Sequence, residues 1–302
     1  MNHRKILVVG SSNTDMVIKT TNFPVPGETI LGGRFLMNAG GKGANQAVAA
    51  ARLGGIVTFV GKIGDDIFGK QAVQQMEDEG INVDYVAVDQ ENPSGVALIT
   101  VDRKGENSIV VAPGSNGTLG AADFDKAYTE FDESEYVLMQ LEIPIPTVEY
   151  IAREAVLKGK KVVLNPAPAA SLSDELLQNL YLITPNETEA ELLTGIKVVD
   201  EQSAIKAAGI LHAKGVKIVI ITMGAVGAFL LEQGVSTIIR APKVEAVDTT
   251  AAGDTFNGAL VVAMSEGKTV SESVAFANKA ASISVTRIGA QSSVPFRKEV
   301  MN

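Results

Sequence analysis

The 302-residue sequence has no cysteine, no tryptophan and only two histidines. Without cysteine there are no disulfides, thiolate metal sites or thiol nucleophiles. His3 stands in the N-terminal tail and His212 near the end of an expected helix. A histidine triad or zinc site would need partners that the chain does not supply, so both are read as structural or incidental. Aromatic residues make up 5%, too few to suggest a platform for stacking nucleobases. Positive charge is also sparse: 26 Lys and Arg face 35 Asp and Glu, for a net charge of −9. No basic cluster offers a nucleic-acid surface. The first apolar run, Ile6-Leu-Val-Val9, is too short for a signal-peptide core, and no stretch approaches a membrane span. The chain is expected to be soluble and cytoplasmic, with no nucleic-acid or membrane partner.

What is present is apolar residue in quantity, 46% of the chain, enough to bury a large core. Short β-branched runs alternate with longer amphipathic segments, the pattern of a mainly parallel sheet covered by helices. Strands are expected at 6–10, 56–61, 136–141, 161–165, 180–184 and 216–222. Helices are expected at 43–53, 67–79, 120–131, 146–158, 186–194, 200–213, 253–266 and 270–286. Two runs, 94–102 and 107–112, flank Arg103-Lys-Gly-Glu106 and read as a β-hairpin. Segments 16–20 and 29–31, around Pro24-Val-Pro-Gly27, can pair with it. These pieces form either a small sheet projecting as a lid or extra edge strands of the main sheet.

The stretch Asp248-Thr-Thr-Ala-Ala-Gly-Asp-Thr-Phe-Asn-Gly258 reads as a loop turning into a helix, with Asp254 in the first helical turn. A helix start leaves backbone N–H groups unpaired and carries partial positive charge, so it can hold an anion. Ala251, Ala252 and Gly253 have little side chain to keep a phosphate away. A carboxylate beside such a site is placed to take a proton from an attacking hydroxyl. The competing reading is an Asp N-cap at an ordinary helix start.

Ligands of open α/β sheets bind beyond the carboxyl ends of the strands, and polar residues gather there. Asn13 and Asp15 follow the first strand, and Gly40-Gly-Lys-Gly-Ala-Asn-Gln46 opens a helix. Glu142 and Asn165 end strands, Asn186 and Glu189 stand at a helix start, and 216–222 runs into Met223-Gly-Ala-Val-Gly227. The glycine run is not a P-loop, because Lys42 is followed by Gly43 where a Ser or Thr is required. Its glycines allow backbone to approach a small ligand, with Lys42 and Asn45 as donors. Together Asn13, Asp15, Asn45 and Glu142 can hydrogen-bond a polyol.

Gly40–Ala50 resembles the first signature of the ribokinase-like carbohydrate kinases (the phosphofructokinase B family), and Asp248–Gly258 resembles the second. The similarity runs over essentially the whole chain. Segments 165–169, 184–190 and 287–295 narrow it to the pentose kinases. The resemblance implies a three-layer α/β sandwich forming one catalytic domain over 1–302, with a lid at approximately 15–38 and 94–112. It implies ATP-dependent phosphorylation of D-ribose at O5. Asp254 would be the base, with Ala252 and Gly253 stabilising the transferred phosphoryl. Asn13, Asp15, Gly41, Lys42, Gly43, Asn45 and Glu142 would hold the sugar. Asn186 and Glu189 would position Mg2+ and phosphates, with Glu189 acting indirectly. Thr222, Gly224, Gly227, Gly253 and Asn278 would line the nucleotide pocket.

A K+ site would draw on Asp248, Thr250, Ser284, Arg287, Gly289 and Ser293, all but Asp248 and Ser293 through main-chain oxygen. The competing partner for Asp248 is an Arg287 salt bridge. A homodimer through the lid is implied. Within the family the alternatives are a 2-deoxyribose or nucleoside kinase; outside it, a non-catalytic sugar-binding protein, against which Asp254 speaks. One departure stands out: the family often has Gly-Ala-Gly-Asp where this chain has Ala251-Ala-Gly-Asp254, awkward if residue 251 needs positive φ.

Overall fold

The computed structural model describes residues 5–302; His3 lies outside them. In chain order the strands are β1 Lys5–Val9, β2 Asn13–Lys19, β3 Arg34–Gly40, β4 Ile56–Gly64, β5 Asn82–Asp89, β6 Gly95–Val101, β7 Asn107–Ala112, β8 Ser134–Met139, β9 Lys161–Leu164, β10 Leu182–Ile183, β11 Ile218–Thr222, β12 Gly227–Glu232 and β13 Val235–Arg240. The helices are α1 Lys42–Arg52, α2 Ile67–Asp78, α3 Ala121–Asp125, α4 Tyr128–Glu133, α5 Ile145–Leu157, α6 Asp174–Gln178, α7 Glu187–Thr194, α8 Glu201–Ala213, α9 Ala252–Ser265, α10 Val270–Ser284 and α11 Arg297–Met301.

Nine strands form the central sheet in the order β13-β12-β11-β10-β9-β8-β1-β4-β5. Neighbours are parallel from β11 to β5, and β12 and β13 add an antiparallel edge. Successive residues of a strand point to opposite faces, and here both faces are covered. Leu7 and Val9 join one buried cluster with Phe124, Ile151 and Leu211 of α3, α5 and α8. Ile6 and Val8 join the other with Ala47, Leu260 and Val274 of α1, α9 and α10. That explains why the inner strands read as unbroken apolar runs. Among the described residues no helix is long and apolar enough to cross a membrane.

The four strands β3-β2-β6-β7 form a separate sheet, which excludes the edge-strand reading. Its edge strand β3 was expected at 29–31 and lies at Arg34–Gly40 instead. Gly32 and Gly33 both hold positive φ (102° and 110°), a backbone that no strand runs through, so pairing begins after them. Asn13 and Asp15, expected after the first strand, are part of β2.

The expected helix 120–131 is two short helices. The Phe124 and Phe131 rings meet edge-to-face at 5.1 Å, whereas seven residues of continuous helix would rise about 10.5 Å. Strands β5, β12 and β13 and helices α6 and α11 were not anticipated. His212 keeps a structural part: its Nδ1 lies 2.8 Å from the Val216 carbonyl oxygen.

Candidate active site

Helices α1 and α9 both begin at the carboxyl edge of the sheet and cross closely. A Cβ on Gly258 would stand 2.6 Å from that of Ala49, so the crossing depends on small residues. Their N-termini therefore converge, and their dipoles add positive potential at one place. Gly41 starts α1 at φ 87°, and a Cβ there would meet the Asn13 nitrogen at 2.7 Å. A Cβ on Gly43 would meet the Ser11 nitrogen at 2.6 Å. These glycines seat α1 against the chain's own backbone. Gly40 makes room for the Asp15 carboxylate, both of whose oxygens would lie 2.3 Å from a Cβ. Only Gly253, at the start of α9, has no protein atom near its would-be Cβ among the glycines of the two loops.

Asp254 is buried and does not cap its own helix. The N-cap is Ala251, with no side-chain cap bond, and the Asp254 carboxylate turns across to α1. There it accepts from Asn45 Nδ2 at 3.0 Å on Oδ2 and from Gln46 Nε2 at 2.9 Å on Oδ1. The ordinary N-cap reading is thereby excluded. Ala251 stands at φ 58° and ψ 16°, left-handed backbone held by a residue with a Cβ. The Ala252 N–H donates to Thr249 O at 3.2 Å and the Thr255 N–H to Ala251 O at 2.8 Å. Between them, the N–H groups of Gly253 and Asp254 donate to no protein acceptor among the described residues.

Around this helix start the charges crowd. Glu142 Oε2 accepts the Lys42 N–H at 2.9 Å and the Ser11 hydroxyl at 2.5 Å. Burial pushes Asp15 up to about 6, helped by Glu142 and Asp254 and opposed by Lys42. Burial raises Asp254 against Lys42, Asn45 and Gln46, with Glu142 adding to the rise. Desolvation acts to lower the pKa of Lys42, yet Asp254, Glu142, Glu189 and Asp15 together hold it above its ordinary value. A single half-buried lysine thus sits among four carboxylates. Asn13 is fixed by Asn116, whose Nδ2 donates to Asn13 Oδ1 at 2.8 Å and to Ser12 O at 3.0 Å.

Sequence reasoning did not single out Ser11, Gln46, Gln140 or Asn116. Three buried side-chain atoms lack a partner among the described residues: Asn45 Oδ1, Gln140 Oε1 and Thr255 Oγ1. All three residues lie in or beside this cluster.

Asn186 and Glu189 form a capping box at the start of α7, so both side chains also serve the helix end. Glu189 N donates to Asn186 Oδ1 at 2.8 Å, and Asn186 N donates to Glu189 Oε2 at 2.9 Å. Burial raises Glu189 above the usual carboxylate range, against the Asn186 N–H and Lys42. Asn186 bridges to Thr222 at the end of β11, which brings the α7 start beside the Gly224 turn. Gly224 opens onto free space, but a Cβ on Gly227 would meet the Ile239 carbonyl at 2.2 Å, so that glycine serves the sheet edge. Asn278 Nδ2 likewise donates to Ile239 O at 2.8 Å.

Asp248 is not paired with Arg287, which instead reaches Glu299 at 2.5 Å. Its Oδ1 accepts from the Thr250 hydroxyl at 2.6 Å and the Thr250 N–H at 2.9 Å, and its Oδ2 accepts from the Gly289 N–H at 2.9 Å. The Val247 and Asp248 N–H groups both donate to Val285 O. Segments 247–250 and 284–293 are therefore joined. Within the second, Ser293 Oγ donates to Ala290 O and Ser284 O accepts the Arg287 N–H.

A buried carboxylate beside unpaired N–H groups at a helix start is an arrangement suited to phosphoryl transfer. The chain belongs to the pfkB family of carbohydrate kinases, whose description "pfkB family carbohydrate kinase" matches residues 3–297. It is 49% identical to a ribokinase of Haemophilus influenzae over 99% of this chain and 97% of that one. It is 38% identical to a deoxyribokinase of Salmonella typhi, over 96% and 95% of the two chains. The solved structure of an Arabidopsis thaliana ribokinase complexed with ribose and ATP superposes with a TM-score of 0.92 at 35% identity. That match covers 99% of this chain and 97% of the other.

Proposed function

We propose that the chain transfers the γ-phosphoryl group of ATP to O5 of D-ribose, giving ribose 5-phosphate and ADP. Likeness to ribokinases over nearly full length sets the substrate class. The observation that carries the mechanism is the buried Asp254 carboxylate next to the unpaired Gly253 and Asp254 N–H groups. Asp254 takes the O5 proton as O5 bonds to the γ-phosphorus and the bond to the ADP oxygen breaks. The helix start stabilises the charge on the phosphoryl oxygens. Asn45 Oδ1, a buried acceptor with no partner among the described residues, accepts a sugar hydroxyl; Asp15, Asn13, Lys42 and Glu142 hold the rest.

Glu189 and Asn186 are the residues that would position Mg2+, which neutralises phosphate charge when bound. K+ would take oxygens from Asp248, Thr250, Ser284, Arg287, Gly289 and Ser293. The joining of those two segments, and the hard oxygen donors they present, fit such an ion.

The small sheet is a lid. Residues paired in register share a face, so Asp15, Asn38 and Ala97 lie together on the side that carries the site. The other face carries Phe35, Met37, Leu98 and Val110, all exposed, which suits a second copy of the chain. Leu98→Glu should then move the sedimenting species from dimer to monomer, and an unchanged dimer refutes this.

A second reading, phosphorylation of 2-deoxyribose, is favoured by the deoxyribokinase relative. A coupled ADP-release assay over a panel of sugars and nucleosides decides. Ribose should give the highest kcat/KM; a higher value for 2-deoxyribose selects the second reading, and no turnover of any pentose overturns both.

A further inference from the structure

Beneath Asp254 runs a buried set of uncharged polar side chains that the phosphoryl-transfer scheme does not use. Strands β8, β9 and β10 are neighbours in the sheet. At or just beyond their carboxyl ends stand Gln140, Asn165 and Thr184, all buried. Gln140 Nε2 donates to Gln46 Oε1 at 2.5 Å, and the missing Cβ of Gly10 leaves room for the Gln140 amide. Gln46 Nε2 donates in two directions, to Asp254 Oδ1 at 2.9 Å and to Asn165 Oδ1 at 3.0 Å. Thr184 Oγ1 donates to Asn257 Oδ1 at 2.7 Å, and Asn257 Nδ2 donates to the Gly253 carbonyl at 2.8 Å. The strand ends thus hold the carboxylate of Asp254 and the backbone of Gly253 in one frame.

Such a set is costly in a core, since a buried polar atom without a partner loses its hydration and gains nothing, and Gln140 Oε1 has none among the described residues. Aliphatic residues of similar size would fill the space without that risk. What they would not supply is two N–H groups aimed from one amide. Gln46 uses both, and its carbonyl is held by Gln140, so the amide cannot turn over without setting oxygen against oxygen at Asp254.

We propose that Gln46, oriented by Gln140, is a positioning residue for the phosphoryl-transfer step: it fixes the plane of the Asp254 carboxylate and keeps it ionised. The inference rests on the reading of Asp254 as the base. Hydrogen bonds to the charged form of a carboxylate favour that form. Burial works the other way here, and so do the neighbouring negative charges. The charged groups facing Asp254 are Lys42 of α1, Glu142 beyond β8, Asp15 of β2 and Glu189 of α7. Lys42 alone among them favours ionisation, and Asn45 and Gln46 add the two direct hydrogen bonds. Consecutive on α1, they approach one carboxylate oxygen each.

The test is the pH dependence of kcat for Gln46→Leu and Gln140→Leu, with the Asp254 carboxyl titrated by carbon NMR in each full-length variant. Gln46→Leu should move the acid limb and the Asp254 midpoint upward by about one unit or more. It should lower kcat at pH 7 by about tenfold, with KM for ribose and ATP within about threefold. Gln140→Leu touches no carboxylate and should give the same shift at smaller size. An unmoved midpoint in Gln46→Leu overturns the proposal whatever its rate. If that variant does not fold, Gln140→Leu decides by the same criterion. Asp254→Asn separates the two claims: wild-type turnover there removes the base assignment, while the Asp254 titration in the Gln46 variant still reports the hold.

Discussion

The Asn45 side-chain amide reaches the Asp254 carboxylate at 3.0 Å, while its carbonyl oxygen, equally buried, accepts from nothing in the described protein. One side chain thus faces the Asp254 carboxylate with its donor and keeps an acceptor for something else. Asp254→Asn should leave ribose binding nearly intact, because that acceptor and the Asp15 side of the pocket remain. Turnover should fall by at least ~10²-fold, the usual worth of general-base work. Calorimetric ribose binding alongside steady-state rates checks this, and near-normal kcat would sink the assignment.

On the proposed reading Asp15 combines sugar binding with a stability cost. Burial and its acidic neighbours push it up to about 6, from the ordinary 3.8. Between those values the folded state holds a proton that the unfolded state has released. Stability contributed by Asp15 is therefore full below about pH 4 and is lost as pH rises through about 6. Asp15→Asn removes that loss, so its melting temperature should exceed wild type by a few degrees at pH 7. The gain should vanish as pH falls toward 4. Ribose affinity should drop about tenfold or more, since the ionised acceptor is gone, while affinity for ATP alone stays. A variant less stable than wild type at pH 7 contradicts the charge-cluster account.

The lid reading makes a local claim. Hydrogen exchange across 94–112, which holds β6 and β7, should slow on adding ribose as the sheet settles on the bound sugar and excludes water. Protection confined to 40–46 would instead mean that the small sheet is static.

Much of this site was legible because its chemistry lies at chain positions with no folding reason to be polar. Asp15, Asn45, Glu142 and Asp254 lie near strand ends or helix starts, and the structure brings the three carboxylates together around Lys42, with Asn45 bonded to Asp254. Gln46 was passed over because a single amide in the Ala-rich α1 reads as a solvated position, whereas it is fully buried. Gln140 was hidden as the penultimate residue of an expected strand. Asn116 lies in a short 3-10 turn, Gly114–Thr118, with no periodic pattern to mark it. Strand β3 escaped for a similar reason: Arg34 and Phe35 are both exposed, so it shows no alternation. The awkward Ala251 is real: it holds positive φ just ahead of the Gly253 and Asp254 N–H groups, which lack partners among the described residues. The sequence raised that question, and only the backbone answers it.

Asp248 stands six residues before Asp254, at the head of the loop that carries Ala251. Burial pushes its pKa up, but the Thr250 hydroxyl and the N–H groups of Gly289 and Thr250 outweigh that, with a smaller contribution from Lys19. The carboxylate is therefore held in its charged form. Arg287, the nearest basic residue in the joined segment, is committed to Glu299. A negative charge six residues before Asp254 opposes phosphate binding unless it is balanced. A monovalent cation among carbonyl and carboxylate oxygens of 248–250 and 284–293 would balance it. Such an ion would act on the shape of the loop that carries Ala251 and the free N–H groups, without touching the sugar. Potassium should therefore raise kcat more than it changes the KM for ribose, and Asp248→Ala should abolish the response. The measurement is turnover against added potassium in a buffer whose only other cation, besides the magnesium supplied with ATP, is a bulky organic ammonium. Full activity there without potassium would refute the site.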